Sequence, residues 1–204
     1  LSIDNKKFPN GMKSVADKIH SKGMLAGLWL APFGAEFTSK TATQHHDWLI
    51  RKKNGHPVTC GINWGGFYAL DIEVPEVKNY IKHFFDVILN DWGFDLVKLD
   101  FLYAAAIIPN HGKSRGQLMC EAMDFLRECV GEKMILGCGV PLMPAFGKVD
   151  YCRIGADMGL RWKVPFFSNR EFISTYHTLG NSIFRRQLDG RAFLLSLIHI
   201  SSPR

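Results

Sequence analysis

The chain has no run of about 18 or more apolar residues, so no membrane-spanning helix is expected. It has no G-x-G-x-x-G and no P-loop, which removes the phosphate cradle of open, nucleotide-binding sheets. Paired Cys-x-x-Cys spacing is missing too. Cys60, Cys120, Cys129, Cys138 and Cys152 stand apart and are odd in number, which argues against a complete disulfide framework and for a reducing compartment. Nothing near residue 1 has the apolar core of a signal peptide, and a cytoplasmic location is expected. Long blocks of one charge are absent as well. The 25 Lys and Arg outnumber 19 Asp and Glu, but they are scattered, with only short clusters such as Arg51-Lys52-Lys53 and Arg185-Arg186, so no nucleic-acid partner is expected.

What is present suits a soluble globular protein with one core: 204 residues, 47% hydrophobic and 22% charged. Met12, Val15, Ala16 and Ile19 recur at helical spacing before Gly23, predicting an amphipathic helix over residues 11 to 22. Met24 to Phe33 then reads as a buried strand. Val77, Tyr80, Ile81, Phe84, Phe85 and Ile88 make the strongest helical stripe, with Pro75 in its first turn and Gly93 past its end. Asp95 to Leu102 is a second strand. Leu118 to Cys129 is a helix closed by Gly131, followed by strands at Met134 to Val140 and near Val149 to Ile154, and by a helix from about Arg170 to Gly180.

This alternation, without tight hairpin signals between the main strands, predicts an α/β protein with a parallel sheet and covering helices. Barrels place their chemistry at the C-terminal ends of several strands, and Trp29, Asp100, Cys138 and Asp157 all fall there. A TIM-type (β/α)8 barrel is therefore expected. A complete one needs about 250 residues and eight strands, so a partial barrel is the prediction.

Lys98-Leu99-Asp100-Phe101 is the most informative stretch. Apolar strands tolerate charge mainly at their ends, and residues two apart share one face of the pleat, so Lys98 and Asp100 together mark a candidate site. A second carboxylate follows at Asp157, in Arg153-Ile154-Gly155-Ala156-Asp157. Two aspartates at the ends of two strands, each accompanied by a cation, are what glycoside hydrolysis requires. The residues alone also permit plain readings: a strand-end salt bridge for Lys98 and Asp100, a loop contact for Arg153 and Asp157, a core role for Trp29, and a small buried thiol for Cys138. A Schiff-base role for Lys98 is a further alternative. His45-His46-Asp47 lacks the partner spacing of a metal site, and neither metal nor cofactor is expected. Asp71 either contacts substrate or caps the helix that starts near Pro75.

Phe8-Pro9-Asn10-Gly11-Met12, Gly27-Leu28-Trp29-Leu30-Ala31-Pro32-Phe33, His46-Asp47-Trp48, Tyr68-Ala69-Leu70-Asp71, Trp92-Gly93-Phe94-Asp95, Lys98-Leu99-Asp100-Phe101, Gly137-Cys138-Gly139 and Arg153 to Asp157 occur in one order over residues 8 to 193. Together they resemble the catalytic domain of glycoside hydrolase family 36 α-galactosidases, in the melibiase clan. The resemblance implies a retaining hydrolase of terminal α-linked galactose in oligosaccharides such as melibiose and raffinose, with Asp100 as nucleophile and Asp157 as general acid/base. It implies that Trp29, Lys98, Cys138 and Arg153 line the galactose subsite, and that the parent is a bacterial, homo-oligomeric enzyme. Relatives acting on α-N-acetylgalactosaminides or transferring galactosyl groups share the pattern.

Two departures qualify the resemblance. The family's paired aspartates on the strand before Trp29 have no counterpart in residues 1 to 10, and the pattern breaks after Leu194. Leu195-Ser196-Leu197-Ile198-His199-Ile200 resembles a translated sequencing adapter. A partial catalytic domain over 1–194, truncated at both ends, and a non-native tail over 195–204 are therefore expected, and an inactive fragment is the alternative outcome.

Overall fold

A computed structural model describes residues 3–155, 157, 162 and 174–196. Helix α1 (Gly11–His20) leads into strand β1 (Gly27–Leu30). An excursion follows, with β2 (Gly34–Glu36), α2 (Lys40–Gln44), β3 (Thr59–Gly61) and β4 (Phe67–Ala69). Then come α3 (Pro75–Asp86), β5 (Leu96–Leu99), α4 (Arg115–Val130), β6 (Met134–Gly137), α5 (Leu142–Ala145), β7 (Tyr151–Arg153), α6 (Thr175–Arg185) and β8 (Leu194–Ser196). Strands β1, β5, β6, β7 and β8 form one parallel sheet in that order, an arc of a barrel. The (β/α) partial-barrel expectation holds. No helix among the described residues is long and apolar enough to cross a membrane.

The helices form where the apolar spacing predicts. Pro75 opens α3, where its missing N–H costs nothing, and Val77, Ile81, Phe84 and Phe85 are all buried. Each such side chain contributes about 1.5–3 kcal/mol when removed from water. The stripe runs on through a π turn, Val87–Asp91, and Gly93 ends it in a left-handed conformation. Helix α4 starts with a capping box between Ser114 and Gln117 and stops at Gly131, which adopts φ 61°. The predicted helix over 170 to 180 is displaced. Ser174 caps it by accepting from the His177 N–H, and it runs through Gly180, whose helical backbone does not break it. Residues 170–173 lie outside the described residues, as do 197–204. The expected domain boundary at 194/195 falls inside β8, where Leu195 and Ser196 pair with Cys152 and Arg153.

Every second residue of the parallel strands faces the helices. Val97, Leu99, Ile135 and Cys152 are fully buried, while Trp29, Lys98 and Leu136, aligned in register across β1, β5 and β6, lie on the opposite, inner face. The N-terminal edge of the sheet is held by two aspartates. Asp95, just before β5, accepts from the Ala26 N–H (2.9 Å) and Lys133 Nζ (3.2 Å) and lies 2.7 Å from His20 Nε2. Asp150, just before β7, accepts from the Ile135 N–H (2.8 Å) and Arg127 (2.8 Å). The Trp92-Gly93-Phe94-Asp95 motif thus serves the fold rather than the chemistry.

Burial alone would raise the Asp95 pKa, but the bonds from Ala26, His20 and Lys133 outweigh it and hold the carboxyl below its usual value. A carboxyl depressed in the folded state adds stability above its unfolded pKa of about 3.9, and that stability is lost as the pH falls through the folded value. Asp95→Asn is expected to cost about 1–3 kcal/mol at neutral pH, shrinking as the pH drops below about 4. Urea unfolding of both chains at two pH values checks this; an unchanged difference would contradict it.

Candidate active site

Strand order brings the predicted site residues onto adjacent strand ends. Leu99 pairs with Gly137, and Gly137 with Cys152, so Asp100, Cys138 and Arg153 stand side by side at the C-terminal ends of β5, β6 and β7. Trp29 and Lys98 sit one layer below, opposite each other on β1 and β5.

Both carboxylate oxygens of Asp100 are engaged. Trp29 Nε1–H donates to Oδ2 at 3.1 Å, and the Phe101 N–H donates to Oδ1 at 2.8 Å. The Asp100 N–H itself donates to the Leu30 carbonyl (2.8 Å), which extends the β1–β5 ladder up to the site. Phe101 pays for its amide's orientation with a left-handed backbone, φ 53°. Burial first, then its hydrogen bond to Asp100 and that residue's charge, push the Cys138 thiol up to about 12, while Arg153 and Lys98 pull it the other way. Cys138 is therefore a neutral thiol beside Asp100, within electrostatic reach of both cations.

The two glycines flanking Cys138 act on the fold. A Cβ on Gly137 would meet Val149 Cγ1 at 3.2 Å. Gly139 adopts φ 62°, and a Cβ there would meet the Phe101 Cα at 3.2 Å. The carbonyls of Cys138 and Gly139 accept from the Leu102 and Tyr103 N–H groups, so the turn that carries Asp100 hangs on this loop. At Gly139 the backbone thus approaches the β5 turn closely.

Arg153 lies at the end of β7, its side chain only 9% exposed, with Nη2 2.6 Å from Asp157 Oδ1 and 2.9 Å from the Gly155 carbonyl oxygen. Spacing along a strand and loop does not require this contact, which the tertiary structure makes. Arg153 therefore orients Asp157 directly. Arg185, from α6, donates to the Ile154 carbonyl and supports the same loop.

Asp71 does not cap α3, whose N-cap is Val74. It is buried, accepting from the Glu73 N–H (3.0 Å) and Asn110 Nδ2 (3.1 Å) with His111 Nε2 2.8 Å away, and so ties the end of β4 to the loop after β5. His45 stacks on Trp48 at 3.9 Å between ring centroids. Among the described residues no three His, Cys, Asp or Glu side chains group as metal ligands.

The sequence reading missed the excursion between β1 and α3. Its β2, β4 and β3 form a separate antiparallel sheet that packs over the Asp100 turn through Phe67 and Phe101 (5.2 Å) and a bond from the Tyr103 hydroxyl to the Cys60 carbonyl (3.0 Å). It also delivers Trp64, whose ring lies 5.6 Å from that of Trp29. Asn63-Trp64-Gly65-Gly66, a turn signal between two short β-prone runs, was the available clue.

A parallel strand arc with carboxylates, cations and an indole at its C-terminal rim is the layout on which barrel glycosidases carry their sites. The chain belongs to the melibiase family, whose model, described as Melibiase, matches residues 1–122. It is 30% identical over 129 residues to the α-galactosidase of Escherichia coli, covering 61% of this chain and 18% of that protein. It is 31% identical over 114 residues to the A type blood α-D-galactosamine galactosaminidase of Flavonifractor plautii, covering 50% of this chain and 10% of that one. Among solved structures, TtGalA, an α-galactosidase from Thermus thermophilus in complex with p-nitrophenyl α-D-galactopyranoside, superposes with a TM-score of 0.83 at 34% identity, covering 93% of this chain and 40% of that one. TtGalA is also solved in complex with stachyose. This chain thus spans less than half the length of each of these relatives.

Proposed function

We propose that the whole protein carrying this chain is a retaining α-galactosidase that releases terminal α-linked galactose from oligosaccharides such as melibiose and raffinose. The observation that carries this reading is the Asp100 carboxylate, held at the barrel rim by Trp29 and its own turn, with the Arg153–Asp157 pair two strands along. Each Asp100 oxygen takes one of these N–H bonds, and the Cys138 thiol also bonds the carboxylate.

In the first step Asp100 attacks the anomeric carbon, the bond to the leaving oxygen breaks, and Asp157 gives that oxygen its proton. In the second, Asp157 takes a proton from water, the water oxygen attacks the anomeric carbon, and the ester to Asp100 breaks. Lys98, Cys138 and Arg153 serve as donors to sugar hydroxyls, and Trp29 offers an indole face to the sugar's C–H surface. Arg153 Nη2 lies 2.6 Å from Asp157 Oδ1 and so orients the carboxyl toward the leaving oxygen in this reading. Membership of the melibiase family supports a sugar-binding role for Lys98 over the Schiff-base reading. The match to the galactosaminidase supports α-galactosaminides as a second substrate class.

Proton NMR during turnover of an aryl α-galactoside tests the reading. The first-formed sugar is expected to be the α anomer, before mutarotation. β-Galactose appearing first would overturn the retaining mechanism, and no turnover would overturn the activity.

A further inference from the structure

Trp64 stands at the tip of the β3–β4 hairpin with 51% of its surface exposed and a left-handed backbone, φ 57°, that side chains larger than Asn rarely adopt. Gly65 and Gly66 follow at φ 84° and 116°, and a Cβ on Gly66 would collide with the Phe37 ring, so the turn is built around these residues. Strained backbone of this kind persists where the surroundings fix it, and it clusters at ligand sites.

The indole is not simply loose on the surface. It meets Phe101 edge-on, with centroids 5.1 Å apart at 77°, and Trp29 at 5.6 Å and 69°. Trp29 in turn holds the Asp100 carboxylate through its N–H. An aromatic wall therefore starts at the proposed nucleophile and continues onto the excursion, where half of the Trp64 surface stays uncovered. Ile62, on the same turn, is 90% exposed and enlarges this apolar tip. For a galactose seated against Trp29, the half-exposed Trp64 ring, 5.6 Å from that of Trp29, is the next aromatic face outward.

We infer that Trp64 is the stacking platform for the leaving-group sugar, selecting oligosaccharide substrates through the C–H face of the residue next to galactose. The inference rests on the α-galactosidase reading and goes beyond it by assigning a residue to the leaving-group side.

The test compares raffinose with α-galactosyl fluoride, whose leaving group is too small to reach the platform. In the whole protein, Trp64→Ala is expected to lower kcat/KM for raffinose about 10- to 100-fold, mainly through KM, and to leave that for the fluoride within about twofold. Trp64→Tyr, which keeps an aromatic face, should recover most of the loss. If Trp64→Ala fails to unfold cooperatively, Trp64→Asn, better suited to the left-handed backbone, replaces it. Equal losses on both substrates would make Trp64 a support for Trp29 and Asp100 and overturn the inference, as would no loss on either. A wild-type protein inactive on both removes the α-galactosidase reading, and the platform falls with it.

Discussion

Replacing Asp100 by Gly in the whole protein is expected to lower hydrolysis of an aryl α-galactoside by roughly four to six orders of magnitude, the scale seen when a nucleophile is removed. The loss has a geometric cause. Trp29 Nε1 and the Phe101 N–H fix the two carboxylate oxygens, and glycine supplies no nucleophilic oxygen in their place. Glycine leaves a space the size of the carboxylate. Azide entering it would attack an activated substrate directly, and single displacement on an α-glycoside gives β-galactosyl azide. That product, identified by NMR, would mark Asp100 as the nucleophile; wild-type turnover by the variant would exclude it.

Asp157→Ala separates the two carboxylates by leaving-group dependence. A substrate with a poor leaving group, such as raffinose, needs proton donation and should slow by about 10²- to 10⁴-fold. An aryl or fluoride leaving group departs without a proton, so formation of the galactosyl-enzyme should survive and its hydrolysis become limiting, visible as a burst of released phenol. Azide intercepting that intermediate gives α-galactosyl azide, the opposite anomer from the Asp100 variant. The same anomer from both variants would refute the pairing of roles. Because Arg153 touches Asp157 at 2.6 Å, Arg153→Ala should reproduce part of the raffinose defect through loss of orientation.

Much of this was legible along the chain because the information is local. The α3 stripe, Pro75 and Gly93, and the strand cores at Leu96–Leu99 and Met134–Gly137 follow from side-chain period and from two residues with restricted or permissive backbones. Lys98 and Asp100 stood out because charge is rare beside a buried strand. The excursion sheet was not legible: β2, β3 and β4 are three residues each, too short to show alternation, and they pair across sequence gaps. Asp71 shows the same limit. Its spacing from Pro75 fitted a helix cap, yet its carboxylate is taken by Asn110 and His111, some forty positions away.

The sequence by itself determined the main helices, the strand cores of the parallel sheet, its alternation and the residue types at each strand end, since these depend on periodicity and on which side chains tolerate burial. Only the tertiary structure decided which ends become neighbours. Strand order β1-β5-β6-β7 places Trp29, Asp100, Cys138 and Arg153 in one rim, and the packed excursion brings Trp64 to its edge. Contacts such as Trp29 to Trp64 and Trp29 to Asp100, 35 and 71 positions apart, are set by hydrogen-bond register and by the closing of the core, and no local pattern encodes them.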